Sequence, residues 1–228
     1  MMPVLYDYPL STECYRVRLL LALLGETATV VPVDAYPGGE HLGEAFRAIN
    51  PFGTLPALVD GDVVLTDSGA ILAYLARRFD PDGSWFPVND PAAAARIVEW
   101  LAIAAKLDAS AGVARAHDML GADADIVAAR ATATELIRRI EQHLAETDGG
   151  TGGFLTGPEP TIADLACFSG VALAPDGGIE LDFCPYILNW MHRIRRLEGF
   201  ITMPGIQPLH ESPVAHDIGG EAQSGSAA

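Results

Sequence analysis

The sequence predicts an α/β unit in the order β-α-β-α-β-β-α, followed by an all-α bundle. Three observations lead to this prediction. Short β-branched and apolar runs alternate with helical patterns as far as Phe79. Prolines interrupt every periodicity between residues 80 and 91. Beyond them the chain is Ala-rich with helical spacing, so helices should dominate the second half.

The first strand is predicted from Pro3 to Tyr8, and the first helix begins after Ser11, a residue type that favours the N-cap. Apolar residues recur on one side of this helix, at Val17, Leu20, Leu21 and Leu24. Gly25 can end the helix, because glycine readily adopts the left-handed conformation that is common there.

A second strand over residues 28–33 and a helix over 42–49 follow, and Asn50-Pro51 ends that helix because a residue before proline disfavours the helical conformation. Residues 57–65 predict a hairpin with a tight turn at its centre. Asp67 and Ser68 then begin an apolar helical pattern, so the pair lies at or near an N-cap.

These breaks give the predicted domain boundaries. The first domain covers residues 1–80, a linker 81–90, and the helical domain 91–203. Residues 204–228 have almost nothing to bury and should form a mobile tail.

Within the second domain, helices are predicted over 91–119 and 124–147, with a glycine- and proline-rich loop up to Pro160. Thr161 can cap the next helix, because the carboxylate of Asp164 can accept from the cap backbone N–H in return. We expect this capping box to be structural and its helix to bury Leu165, Phe168 and Val171.

Composition narrows the function classes. The formal charge is −16, which disfavours nucleic acid and anionic membranes as partners. No segment reaches the ~18 consecutive apolar residues of a membrane span. The cysteines are odd in number and form no close pair, which predicts a reducing cytoplasm: Cys14, Cys167 and Cys184. No group of residues has the spacing of metal ligands, so no metal is expected.

The segment Asn50-Pro51-Phe52-Gly53-Thr54-Leu55-Pro56-Ala57-Leu58 predicts a site for an extended peptide. Pro56 lacks an N–H for the sheet, which suits a strand entry and a cis peptide bond. The helix that starts at Asp67 and Ser68 offers free amides that can hold a carboxylate.

The Pro56 segment followed by the helix start at Asp67 and Ser68 resembles the pattern of the glutathione S-transferase superfamily, closest to its theta and zeta branches. The resemblance covers residues 3 to about 203. The resemblance implies a thioredoxin-like first domain, an all-helical second domain, glutathione as cosubstrate and a homodimer. It also implies that Leu55 offers its backbone N–H and C=O to the cysteinyl residue of glutathione. Asp67 would accept from the γ-glutamyl ammonium, and Ser68 would hold the γ-glutamyl carboxylate.

The other end of glutathione has one matching residue. Glu40-His41-Leu42-Gly43-Glu44-Ala45-Phe46 resembles the theta segment whose histidine binds the glycine carboxylate, so His41 takes that position. A solvent-exposed loop histidine stays the alternative. Thr54 stands where theta proteins carry a lysine, so one cationic contact is missing.

Ser11-Thr12-Glu13-Cys14-Tyr15-Arg16-Val17-Arg18 resembles the zeta pattern Ser-Ser-Cys-Ser-Trp-Arg-Val-Arg. Ser11 falls on the active serine, which would donate to the glutathione thiolate and favour the reactive form; a plain N-cap is the alternative. Glu13 replaces the zeta cysteine, which weakens any transfer of isomerase activity. Cys14 falls on the second cysteine of a redox Cys-x-x-Cys and stays a second catalytic candidate, although such a cysteine is more often core.

The resemblance thus implies a transferase whose bound thiolate attacks a small hydrophobic electrophile, held by helices that include Trp100, Arg115 and His117. Two alternatives stay open. One is a glutathione-dependent isomerase or thiol reductase. The other is a non-catalytic glutathione-binding or structural module, because a fold does not fix a function.

Overall fold

The computed structural model of the chain describes residues 2–148 and 153–206. Its sheet has four strands in the order β2-β1-β3-β4. β1 pairs with β2 in parallel and with β3 antiparallel, and β4 adds to β3 antiparallel. The strands are β1 (Val4–Asp7), β2 (Thr29–Pro32), β3 (Ala57–Asp60) and β4 (Val63–Leu65).

Helices make up the rest of the described regular structure. They are α1 (Thr12–Leu23), α2 (Glu44–Arg47), α3 (Ser68–Phe79), α4 (Pro91–Leu107), α5 (Val113–Leu120), α6 (Ile126–Asp148), α7 (Ile162–Ala172) and α8 (Pro185–Arg195). A 3₁₀ turn, Glu40–Leu42, precedes α2, and another, Ala174–Gly177, follows α7. A π-helical turn, Asp108–Gly112, joins α4 to α5. The predicted fold class, an α/β unit followed by helices, is confirmed.

Helix α1 begins and ends at the residues that the sequence indicates. Ser11 is its N-cap. At the other end Gly25 adopts φ +68°, and the N–H of Glu26 donates to the carbonyl of Leu21 at 2.8 Å. This is the hydrogen bond of a Schellman ending, in which a left-handed glycine satisfies the last carbonyls of a helix.

Two apolar clusters hold the chain together. The larger one joins the sheet to the helices and contains buried residues from both halves of the chain, among them Leu5, Leu20, Leu107 and Phe168. Burial of each such large side chain contributes about 1.5–3 kcal/mol. The smaller cluster consists of Cys14, Val33, Phe46, Leu55 and Ala57. It packs the first turn of α1, α2 and the entry to β3 against one another, and it includes Leu55, one of the predicted glutathione residues.

Helix α7 is buried along its whole length. The carboxylate of Asp164 accepts hydrogen bonds from the backbone N–H of Thr161 at 2.9 Å, from that of Leu155 at 2.8 Å and from Nε1 of Trp190 at 2.9 Å. Burial raises the pKa of this carboxyl, while the hydrogen bonds oppose the rise. The predicted capping box is confirmed, and its contacts are structural.

Three features differ from the sequence-based predictions. The helix predicted over 42–49 is a 3₁₀ turn and a single-turn α2, because Gly43 between them is extended. The helix predicted over 91–119 is interrupted by the π-helical turn. The sequence analysis also did not identify α8.

Two predictions are not tested by these elements. The domain boundaries at residues 80, 90 and 203 stay predictions. Residues 207–228 of the predicted mobile tail, 204–228, lie outside the described residues. Residues 149–152 of the predicted glycine-rich loop also lie outside them.

Candidate active site

Ser11 stands at the N-cap of α1, just beyond the end of β1. Its Oγ accepts a hydrogen bond from the backbone N–H of Cys14 at 3.1 Å. The side chain is half-buried. A serine hydroxyl that accepts one hydrogen bond can still donate another. Ser11 can therefore cap the helix while its single hydrogen points either to the Cys14 thiol or to a bound anion.

Cys14 is fully buried one turn into the same helix. Its Sγ accepts from the backbone N–H of Tyr8 at 3.4 Å. Burial raises the pKa of the thiol to about 12, although hydrogen bonds from Ser11 and Tyr8 act in the opposite direction. A thiol with this pKa stays protonated at neutral pH, so it is a poor nucleophile.

The peptide bond between Leu55 and Pro56 is cis, as predicted. Both residues are buried, and β3 begins immediately after them. Among the described residues, the backbone N–H and C=O of Leu55 have no hydrogen-bond partner. These two groups are therefore available to an extended peptide that lies alongside them.

Asn50, which is fully buried, organises the turn before Leu55. Its Nδ2 donates to the carbonyl of Thr54 at 2.7 Å and to the Thr54 hydroxyl at 3.0 Å. Its Oδ1 accepts from the N–H of Phe52 at 3.0 Å. The Thr54 side chain is exposed beside the turn. The sequence analysis used Asn50 only as a helix end and missed this role.

His41 lies on the 3₁₀ turn that packs against the same loop. At Gly53 the backbone adopts φ +64°, and a Cβ there would meet the carbonyl oxygen of His41 at 3.0 Å. Glycine thus allows this close approach. The ring is half-buried, and its Nδ1 is buried and has no hydrogen-bond partner among residues 2–148 and 153–206. Among the described residues this ring nitrogen therefore has an unmet hydrogen-bonding capacity, next to the loop that carries Gly53.

Helix α3 presents the other pair of predicted residues. Asp67 is its N-cap and accepts from the N–H of Ala70 at 2.8 Å. Ser68 is buried, and its Oγ accepts from Nη1 of Arg16 at 3.3 Å. Because the guanidinium can only donate, the Ser68 hydroxyl hydrogen is directed elsewhere. The serine is therefore oriented to donate to an anion.

Arg16 joins four elements through one buried guanidinium. Besides Ser68, it donates from Nε to Ser169 of α7 at 3.1 Å. Both terminal nitrogens donate to Asp108, at 2.9 and 2.6 Å. The sequence analysis quoted Arg16 only as part of a motif, since no local pattern shows which arginine is buried.

A cavity of about 240 Å³ opens between the start of α3 and α4. Its polar side chains are Glu13, Arg16, Asp67, Ser68 and Asp108. Burial, followed by the charge of Asp108, raises the pKa of Glu13 to about 7, and the charge of Arg16 opposes the rise.

A second cavity, of about 130 Å³, lies on the other side of the α1 start. Leu10, Thr12, Ala116 and Met119 are among the residues that line it. The guanidinium of Arg115 also reaches it, but donates to the Leu10 carbonyl at 2.8 Å and to Asp176 at 3.0 Å. The cavity wall is thus mainly apolar, and its cation is already paired.

The other two residues suggested for the electrophile site lie elsewhere. Trp100 lines a separate cavity of about 840 Å³ with His143, whose ring centroid is 4.7 Å away. His117 lines none of these three cavities, and its Nδ1 contacts the carbonyl of Ala122 at 2.8 Å. Of the three, only Arg115 lies next to the start of α1.

Residues 2–148 and 153–206 contain neither a candidate metal site nor a candidate membrane span. No group of three or more His, Cys, Asp or Glu side chains could hold a metal ion in this part of the chain. None of its helices combines the length and apolar character that a bilayer crossing requires.

Comparison with known proteins gives concordant results. Residues 5–83 match the N-terminal domain of glutathione S-transferase. Glutathione S-transferase 3 of Zea mays is 36% identical over 169 residues, which cover 70% of this chain and 72% of that protein. Maleylacetoacetate isomerase of Rhizobium meliloti (strain 1021) is 35% identical over 213 residues, covering 86% and 93% of the two chains.

The fold is shared with solved structures. The crystal structure of glutathione S-transferase from Pseudomonas fluorescens superposes with a TM-score of 0.80 at 27% identity, and covers 89% of this chain and 99% of its own. The predicted thioredoxin-like first domain and helical second domain are thereby confirmed. The sequence relatives and the shared fold agree, and the chain belongs to the glutathione S-transferase family.

Proposed function

We propose that the protein is a glutathione transferase in which Ser11 stabilises the thiolate of bound glutathione for attack on a small hydrophobic electrophile. The observation that carries this proposal is the position of the Ser11 hydroxyl, which caps α1 as an acceptor and can turn its hydrogen from the Cys14 thiol to a ligand. The positive end of the helix dipole adds to the stabilisation of an anion there.

Glutathione would lie extended along Leu55, whose free backbone groups would pair with its cysteinyl residue. The half-buried ring of His41, on the turn that packs against Gly53, would hold the glycine carboxylate. At the opposite end, Ser68 and the first amides of α3 would hold the γ-glutamyl carboxylate, and Asp67 would accept from its ammonium.

The transfer needs no group other than glutathione and the electrophile. The thiol proton passes to solvent, and the sulfur lone pair forms a bond to the electrophilic carbon. A leaving group such as halide departs with the electrons of the broken bond. Ser11 takes no part as a nucleophile; it lowers the energy of the thiolate by donating to it.

The cavity of about 130 Å³ is the proposed electrophile site, because it adjoins the start of α1 and is lined mainly by apolar groups. Arg115 is committed to Leu10 and Asp176, so the wall offers no unpaired cation to a substrate carboxylate. These features favour a small, uncharged electrophile.

Cys14 has no catalytic role in this proposal. Burial and the raised pKa of its thiol argue against both a mixed disulfide and a thiol reductase. Ser11 is therefore the sole proposed catalytic side chain.

A glutathione-dependent isomerase is the second candidate, favoured by the similarity to maleylacetoacetate isomerase of Rhizobium meliloti. Isomerisation regenerates glutathione, so no stable thioether would accumulate. Mass spectrometry of the products therefore separates the two reactions.

Turnover of a panel of halogenated, peroxide and enone substrates tests the proposal. We expect Ser11→Ala to lower kcat/KM about a hundredfold, the loss typical of one removed anion-stabilising donor, and Cys14→Ala to retain activity. Full activity in Ser11→Ala with loss in Cys14→Ala would make the serine assignment wrong. Tight glutathione binding without turnover of any substrate would instead indicate a non-catalytic module.

The oligomeric state and the cellular location of the protein are also proposals. We propose a homodimer, in which a second copy covers some of the exposed apolar side chains. We propose a cytoplasmic location, because Cys14, Cys167 and Cys184 are all free thiols. Sedimentation equilibrium and cell fractionation test these two points.

A further inference from the structure

Glu13 combines an unusual position with a free carboxylate. It is the second residue of α1 and stands where the zeta pattern has cysteine. Its half-buried side chain lines the 240 Å³ cavity together with Asp67 and Ser68. Among the described residues, no donor hydrogen-bonds to the carboxylate.

The charges around this cavity do not balance. Its acidic groups are Glu13, Asp67 and Asp108, and its one lining cation is Arg16. Arg16 binds both oxygens of Asp108, so those two charges neutralise each other. Within the described part of the chain, Glu13 and Asp67 form no ion pair, which favours a positively charged ligand group between them.

The same cavity also has a donor for an anion. The Ser68 hydroxyl is oriented by Arg16 so that its hydrogen can point towards a ligand. Two uncompensated carboxylates beside one such donor match a group that carries an ammonium and a carboxylate on the same carbon. The γ-glutamyl end of glutathione is such a group.

We propose that Glu13 binds the γ-glutamyl ammonium together with Asp67, and that affinity for glutathione therefore rises with pH. This inference rests on the proposed function and assigns one more binding residue to it. No residue of the sequence-based site assignment covers this position.

The sign of the pH effect follows from the groups that face Glu13. They are Asp67 on α3, Asp108 after α4 and Arg16 on its own helix. With a pKa of about 7, raised mainly by burial, the free carboxyl of Glu13 is protonated in mild acid and ionised in mild base. Only the ionised form attracts an ammonium.

Calorimetric titration with S-methylglutathione tests this proposal, because that probe has no thiol to titrate. We expect binding to the unsubstituted protein to be about tenfold tighter at about pH 7.5 than at about pH 5.5. In Glu13→Gln, which keeps the side-chain shape, this gain should be lost. The matched control is Glu26→Gln, which removes an exposed carboxylate beyond the far end of α1 and should behave like the unsubstituted protein.

A second probe isolates the ammonium. S-methylglutathione acetylated on its amino group carries no positive charge there. We expect it to bind the unsubstituted protein at least about tenfold more weakly than the parent compound at about pH 7.5. In Glu13→Gln the ratio between the dissociation constants of the two probes should be severalfold smaller.

The outcomes separate this inference from the proposed function. If S-methylglutathione and glutathione both fail to bind the unsubstituted protein at every pH, the proposed function fails, and this inference fails with it. If both bind but Glu13→Gln keeps the pH dependence and the discrimination between probes, only the assignment of Glu13 is overturned.

Discussion

The guanidinium of Arg16 binds both carboxylate oxygens of Asp108, at 2.9 and 2.6 Å. Arg16 is only 2% exposed and Asp108 17%. The pair ties α1 to the turn between α4 and α5, and the same guanidinium reaches Ser68 at the start of α3. One buried cation therefore links the helical half of the chain to a proposed glutathione contact.

Substituting Arg16→Met should destabilise the fold, because it leaves the Asp108 carboxylate without its partner. Removal of one member of a buried pair typically costs about 3–5 kcal/mol, so we expect a loss near the lower end in urea unfolding. The double variant with Asp108→Leu should recover most of the loss.

Arg138→Met is the control, because its partner is Glu135 in an exposed pair and little stability should change. An Arg16→Met protein as stable as the unsubstituted one would show that the pair does not support the fold.

Asn50→Ala should weaken glutathione binding as well as the fold. The substitution removes the hydrogen bonds that hold Thr54 and Phe52 in the turn before Leu55. Unmet buried groups cost about 1–3 kcal/mol, so we expect affinity measured by calorimetry to fall about tenfold. Asn89→Ala, an exposed asparagine, should leave it unchanged. Equal affinity in the two variants would contradict a role for this turn in binding.

Much of the site follows from local sequence signals. A serine before an apolar helical pattern identified the N-cap at Ser11, and the apolar run after Pro56 identified β3. The caps at Asp67 and Thr161 were equally local, since each depends on groups within three residues. These interactions are short-range, so the order of residue types is enough to predict them.

The features that the sequence analysis missed depend on contacts between distant residues. Arg16 is buried because Asp108, Ser68 and Ser169 meet it from three other elements. The π-helical turn that holds Asp108 interrupts an Ala-rich pattern in which Gly112 does not by itself specify such a turn. The electrophile cavity likewise forms only when α5 packs near Leu10. Because these contacts join segments that are far apart in the sequence, the pattern of a single segment cannot predict them.

The three cysteines should differ sharply towards iodoacetamide in the folded protein. Cys14 and Cys167 are fully buried, and burial raises the pKa of both thiols. We expect mass spectrometry to find Cys184, which is only partly buried, as the labelled residue at neutral pH. Urea should make all three reactive. Rapid labelling of Cys14 in the native protein would reopen its catalytic role.

Met119→Trp should impair the reaction with the electrophile without changing the binding of glutathione. Met119 is 55% exposed at the 130 Å³ cavity, and a bulkier indole would fill much of that space. We expect kcat/KM for the electrophile to fall about tenfold or more, whereas glutathione affinity stays the same. Val127→Trp, at an exposed apolar position on α6, is the size-matched control. Unchanged electrophile kinetics would place that substrate elsewhere.

The central claim is that Ser11 stabilises the thiolate of bound glutathione. Its most direct test is the ultraviolet absorbance of that thiolate as pH rises, with the protein alone as baseline. A free thiol has a pKa near ~8.5. A donor to the ionised form lowers the pKa, so bound glutathione should ionise about 1–2 pH units lower, and Ser11→Ala should return the midpoint towards the free value. Cys14→Ala should keep the lowered midpoint. The same midpoint in the unsubstituted protein and in Ser11→Ala would contradict the claim.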